Sequence, residues 1–512
     1  MKKIIYLITA LLLFAACKKD IQDRTANIAA LEPLKTDINA GLWKPILLSA
    51  PDEFALAAPA NAPATPNYIL ELNEIKSYQA NLSEGQQNQI KYWSAGAVLR
   101  WNEILRELVA KRNLPPYQNA DGSYPFPNAN NPLAYPIFPF ANPPYAARAY
   151  AYVAAAQYDA LVAAYHYKKL YNRQAPYKLD AGIRQMLPAS DVAVYPSEDA
   201  VVMGVTVELL KLLFPSDINE IQAKAAEQRV YRIMAGMNTR SDIDAGEALG
   251  KAVATKFIAR ARNDRAGAAA GNAAIWAQFE TNAVAQGETP WKSLELPARP
   301  PMLPLFGKVR PWLMDSLTMV SIRPPAPPST SSPKFKEELN EVLSYSQNVT
   351  REQLRIVHFW ADGVGTATPS GHWNDIAADD FIQLRLSEVR WARNMALLNM
   401  AMADAAINCW DTKYNYFNPR PSQVNALIKT VTGVPNFPAY TSGHSTFSGA
   451  AATVLSYINP SKASAYDAMA KEASISRMYG AIHYRSDCEV GLVCGNRVGN
   501  FSVIRGKADG SN

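Results

Sequence analysis

Apolar residues recur every three or four positions from Ser83 to Lys111, and Asn113-Leu114-Pro115-Pro116 ends the run. That period puts them on one face of an α-helix. The same spacing predicts helices over Ala146–Tyr167, Ser197–Leu213, Asp217–Gly236 and Asp242–Arg262. It predicts others over Lys334–Ser346, Thr350–Trp360 and Ala377–Cys409, while the first helical patterning starts near Tyr68. Asp242 after Ser241 has the chemistry of a helix cap. No alternating apolar and polar run marks a strand and no short repeat recurs, so the expected fold class is all-α, a helical bundle.

Prolines divide these helices. Pro115 to Tyr145 is an irregular, Pro- and aromatic-rich segment, long enough to wall a channel or, more plainly, to pack on the surface. Residues 301–333 contain Arg323-Pro324-Pro325-Ala326-Pro327-Pro328 and form a connection between an N-terminal helical unit, 67–300, and a C-terminal one, 334–512. Residues 18–66, ending in Leu56-Ala57-Ala58-Pro59-Ala60-Asn61-Ala62-Pro63-Ala64-Thr65-Pro66, are expected to be a tether.

The first residues change the picture. Met1-Lys2-Lys3, an apolar run from Ile4 to Ala16 and then Cys17 form the pattern of a bacterial lipoprotein signal, 1–17, with a lipid on Cys17. A plain N-terminal membrane anchor is the lesser alternative. The expected location is thus an exported lipoprotein facing the periplasm or cell surface, touching the membrane only through its lipid anchor. The Ala-rich stretch 146–164 is broken by Arg148 and Asp159 and suits a buried helix of a bundle. Over 512 residues, 48% apolar and 19% charged, the chain can fill two core-forming units. A net charge of +6, small for this length and without a basic aromatic stripe, gives nucleic acid little support as a partner, and none is expected. Oligomeric state leaves no trace in the pattern. Past Cys17 only Cys409, Cys488 and Cys494 remain. A disulfide from Cys409 to either of the others is open, buried thiols are favoured, and the odd count carries no metal signature.

The candidate chemistry lies between Lys413 and Asp487. Lys413 and Arg420-Pro421 come first, and the prolines around them predict a loop on which the two cations converge, with Trp410 nearby to bury them. Ser442 and Gly443 are expected to open a helix whose apolar face is Phe447, Ala450, Ala451, Val454, Leu455 and Ile458. His444 would then lie in its first turn, where free backbone N–H groups attract an anion. Ser476, Gly480, His483 and Asp487 are four, three and four apart, one face of a helix. Asp487 could accept from His483 Nδ1–H and leave Nε2 open. Arg477 would point about 120° away on an ideal helix, unless the helix bends near Gly480. Two guanidinium groups, an ammonium and two histidines suit a tetrahedral oxyanion.

These motifs resemble the vanadium-dependent haloperoxidase and type 2 phosphatidic acid phosphatase superfamily. Lys413, six residues, Arg420-Pro421, then Ser442-Gly443-His444, then Arg477, five residues and His483 match its pattern. Phe437-Pro438-Ala439-Tyr440-Thr441-Ser442-Gly443-His444, Trp410 and Gly480 to Asp487 are closer to the soluble bacterial haloperoxidases. Thr441 departs from the family, which has proline there. The tight match covers about 410 to 490, and a weaker one reaches Phe359-Trp360-Ala361-Asp362-Gly363. Pro369-Ser370-Gly371-His372 spells the motif too, but precedes Lys413 and lacks the following apolar helix, so His372 is assigned to structure or the pocket rim.

The resemblance implies an all-α bundle of that type and a set of roles. Vanadate would be the cofactor, with His483 its metal ligand, Lys413, Arg420, Arg477, Ser442 and Gly443 binding its oxygens and His444 as acid/base. Asp362, Trp410 and Phe437 would support these, Asp362 by pairing with Arg477. Halide and hydrogen peroxide would be the substrates. The same site could instead hydrolyse phosphoesters through a phosphohistidine at His483, without a cofactor. A non-catalytic surface lipoprotein is the third reading. The haloperoxidase-like flanks and the large N-terminal helical unit favour the first.

Overall fold

The computed structural model describes residues 28–60, 65–115, 117–121, 125, 142–295 and 298–511. Among these the regular structure is helical throughout, with no strand. The lipoprotein signal with Cys17, and most of the Pro- and aromatic-rich segment 115–145, lie outside the described residues. No helix among the described residues is long and apolar enough to cross a membrane.

Two long helices form the centre. Pro143–Tyr171 and Glu388–Tyr416 pack along each other and are buried on nearly every side. Alanines along both let the backbones approach, which is why neither shows a clean apolar stripe. One contiguous apolar cluster draws on both helices, for example Leu161 and Leu398, so the units on either side of 301–333 share a core. The proline-rich connection runs as a strap along Glu388–Tyr416. Backbone N–H groups of Trp312 and Leu313 each donate to Asp404 at 2.8 Å, and Trp410 and Tyr414 donate to the Met302 carbonyl.

Several boundaries differ from those expected, each for a local reason. The run 83–111 is two helices, Glu84–Trp93 and Ala97–Arg112, divided at Gly96, whose φ of 119° suits glycine alone. The predicted Ala377–Cys409 helix is likewise two. Thr368–Gln383 ends near Arg385, which has a left-handed φ of 48°, and Glu388–Tyr416 starts under a Ser387 cap. Asp242 is not the cap of its helix, Arg240–Arg262. Thr239 is, and Asp242 sits three residues on and accepts its N–H in a capping box.

The expected tether is not one where it is described. Residues 28–60 are wound onto the helices: Ile46, Leu47 and Leu48 N–H groups all donate to buried Asp159, and Asp37 accepts from Ser387 and Arg390. Burial of Trp43 and Leu48 accompanies these bonds. The alanine–proline composition near 56–66 concealed this docking.

Candidate active site

Gly443–Ile458 and Arg485–Lys507 cross at very close range near the C-terminal end of Glu388–Tyr416. A Cβ at Gly491 would lie 2.8 Å from Ser445 Cβ, and one at Gly495 would collide with the Thr446 carbonyl. This contact brings His444 and His483 to one cavity.

Ser442 caps Gly443–Ile458, its hydroxyl accepting the Ser445 N–H, and His444 follows in the first turn as expected. The third group is arranged differently from expectation. Ala463–Tyr479 ends before Gly480, Ala481 has a φ of 58°, and a new helix starts at Arg485. Ser476, Gly480, His483 and Asp487 therefore do not share one helix. The break lets Arg477 reach the site from the end of one helix while Asp487 reaches it from the first turn of the next. Nδ1–H of His483 donates to Asp487 Oδ2 at 2.8 Å, and the same oxygen accepts the Tyr484 N–H at 3.0 Å. Nη1–H of Arg420 lies 3.0 Å from His483 Nε2. A guanidinium only donates, so Nε2 carries a lone pair.

Lys413 lies on the last turn of Glu388–Tyr416, not in a loop, because burial carries that helix to Tyr416 and the prolines act only beyond it. Its ammonium donates to the carbonyls of Pro438, Ala439 and Thr441 at 2.8, 2.9 and 2.5 Å. All three of its donors are thus spent on the loop before Ser442, and its charge, not an N–H, is what it offers an anion. Arg420 donates to the Phe437 and Ile482 carbonyls at 3.0 and 2.8 Å, and its Nη2 is buried with no partner among the described residues. Phe437 takes both cations on its ring, each 5.0 Å from the centroid, and Trp410 packs beside it. Arg477 donates from Nε to Ser476 Oγ at 3.0 Å.

Burial and mutual repulsion load these groups electrostatically. Lys413 is brought down to about 7, by burial first and then by Arg420. Burial brings Arg420 and Arg477 each down to about 10. His483 is held well below its ordinary value by burial and by Arg420, Lys413 and Arg477. His444 falls to about 4 through burial and Arg477, against the pull of Asp362. Asp487 rises to about 7 through burial, opposed by the Tyr484 N–H, Lys413 and Arg420.

His444, His483, Arg477 and Gly443 line a cavity of about 430 Å³, together with Trp410 and Phe437. Arg299, paired with Glu295 at 2.9 Å, lines it as well, and no motif marked it. Asp362 also lines it but does not pair with Arg477. Its carboxylate is engaged instead by His372, at 3.0 Å, and faces His444 Nε2 at 3.6 Å. His372 is in a helix after all, Thr368–Gln383, whose approach to Asp362 depends on tertiary packing. Cys409, Cys488 and Cys494 are buried free thiols.

Comparison with known proteins bears on the domain and the fold. Residues 394–507 match the family model described as the PAP2 superfamily. A bacterial vanadium-dependent iodoperoxidase superposes with a TM-score of 0.59 at 24% identity, over 79% of this chain and 95% of its own. The apo form of a bacterial vanadium-dependent chloroperoxidase gives 0.51 at 13% identity, over 73% of this chain and 96% of its own. No curated protein matches.

Proposed function

We propose, from the PAP2 superfamily domain that this chain carries over residues 394–507 in a body with the fold of bacterial vanadium haloperoxidases, that the protein is a vanadium-dependent haloperoxidase-like enzyme acting on halide and hydrogen peroxide. One observation carries the reading. Lys413, Arg420 and Arg477 are buried around the unprotonated Nε2 of His483, with Asp487 the carboxylate tied to that imidazole. Buried positive charge in such excess calls for an anion.

The residues suit vanadate. Nη2 of Arg420 is a buried donor lacking a partner among the described residues, and a Cβ on Gly443 would meet only Phe447, 3.9 Å away. Arg420, Arg477, Ser442 and Gly443 would hold its oxygens and His483 its metal. Bound vanadate supplies the Lewis acidity through which peroxide oxidises halide. Asp487 fixes the tautomer of His483, and Lys413 braces the 438–441 loop while adding charge. His444, neutral at ordinary pH, can accept a proton at Nδ1 from the incoming peroxide or return one. The long N-terminal helical unit, part of the fold shared over most of both chains, supports this reading over phosphoester hydrolysis.

The test is a single phosphate-free preparation, assayed for iodide and bromide oxidation with orthovanadate and peroxide, and for phosphoester hydrolysis without vanadate. Vanadate-dependent oxidation with feeble hydrolysis is the expected result. Efficient hydrolysis that vanadate inhibits, with trace oxidation, would replace it with a phosphatase in which His483 attacks phosphorus and His444 protonates the leaving oxygen.

A further inference from the structure

Asp362 is approached by histidines from two sides. Nδ1 of His372 lies 3.0 Å from one carboxylate oxygen and 3.3 Å from the other, and Nε2 of His444 lies 3.6 Å from Oδ2. The burial of Asp362 is outweighed by these two imidazoles, which hold its carboxyl well below the usual range. An ionised carboxylate can only accept, so His372 Nδ1, within hydrogen-bond distance of it, carries hydrogen, and the negative charge favours hydrogen on the facing Nε2 of His444 as well. Packing holds His372 rigidly. Its ring stacks on Trp360, centroids 4.5 Å apart, and meets the edge of Phe359 at 5.0 Å. Trp360 is itself anchored by its Nε1–H to Glu472 at 2.9 Å.

We propose that His372 is a positioning residue of the active site, fixing Asp362 so that Asp362 holds His444 in its Nε2–H tautomer with Nδ1 bare for the cavity. The proposal rests on the reading of His444 as the proton-transfer group. His372 does not line the cavity, so it acts through Asp362 alone. Without its donor, the Asp362 carboxylate loses its nearer partner, and His444 Nε2, which faces it at 3.6 Å and has no hydrogen-bond partner among the described residues, loses the fixed negative charge that favours hydrogen on that nitrogen. Supporting groups of this kind typically change activity about 10- to 100-fold when removed.

Two substitutions separate positioning from packing. His372→Phe keeps a ring to stack on Trp360 and removes the donor, whereas His372→Asn surrenders the stack and keeps an N–H near the place of Nδ1. The chain has five histidines, so a long-range proton–nitrogen spectrum of histidine-labelled apo protein resolves each tautomer, with His444 assigned by its loss in His444→Gln. The wild type and His372→Asn should show His444 as Nε2–H, and His372→Phe a mixture of tautomers. In turnover, His372→Phe should lose about tenfold in kcat with KM within about twofold, and His372→Asn should stay within about threefold of wild type. An unchanged His444 tautomer in His372→Phe, or its loss in His372→Asn, would overturn the proposal. A chain with neither oxidation nor hydrolysis would sink the proposed reaction, while the tautomer comparison would still decide the role of His372.

Discussion

Asp487 holds His483 by Nδ1 at 2.8 Å, so the nitrogen turned to Arg420 is the one with the lone pair. Removing His483 removes the ligand or nucleophile, and removing Asp487 only loosens it. His483→Ala should abolish orthovanadate binding by the apo protein, and Asp487→Ala should weaken it about 10- to 100-fold. Titration calorimetry checks both. Equal affinities for the three proteins would mean that the anion binds elsewhere.

Lys413 makes a different prediction from the one its family role suggests. Its three donors serve carbonyls of the 438–441 loop, and all are buried. Lys413→Met would leave those acceptors unpaired, at a cost of about 2 kcal/mol or more, since each unsatisfied buried group costs roughly 1–3 kcal/mol. The loss should appear in urea denaturation with no anion present. A variant as stable as wild type would show that the loop does not depend on the ammonium.

The displaced titration of His444 gives a pH dependence with a definite sign. Its folded value, about 4, lies below that of an unfolded histidine, so the unfolded chain binds more protons between the two. The stability due to neutral His444 is complete above about pH 6.5 and is lost as pH falls through about 4. In kcat/KM, which reports the free enzyme, the acid limb should lie below the ordinary histidine value. Asp362 raises the His444 value, so Asp362→Asn should move that limb to lower pH. A limb at the ordinary histidine value in wild type would remove His444 as the group observed.

Much of this was legible from periodicity and spacing, and the rest for physical reasons was not. Gly443–Ile458 was readable because its apolar face is one-sided and Ser442 caps it. The His483–Asp487 pair was readable too, although no continuous helix joins them: a capping carboxylate three residues into Arg485–Lys507 meets the histidine just before that helix. The course of Glu388–Tyr416 beyond Cys409 is not legible, because a helix buried on nearly every side has no polar stripe to mark it. The acceptors of Lys413 are backbone carbonyls, which leave no signature in residue types. The bond from His372 to Asp362 joins segments brought together only by packing around Trp360.

Two glycines separate the needs of the site from those of the fold. Gly443 opens its helix at the cavity, and a Cβ there would touch nothing nearer than Phe447 at 3.9 Å. Gly495 lies where two helices cross, and a Cβ there would strike the Thr446 carbonyl and lie 2.8 Å from the Ala450 nitrogen. Backbone cannot give way as a side-chain tip can, so Gly495→Ala must push Gly443–Ile458 away from Arg485–Lys507. Overpacking of this kind costs about 1–3 kcal/mol and shifts backbone. Gly495→Ala should therefore lower the melting temperature and, by moving His444 relative to His483, weaken orthovanadate binding as well. Gly443→Ala should melt as wild type and lose only anion affinity, because its methyl occupies space the oxyanion needs. Melting curves and calorimetry on the two variants give the comparison. If Gly443→Ala bound orthovanadate undiminished, the anion would not sit against the start of that helix.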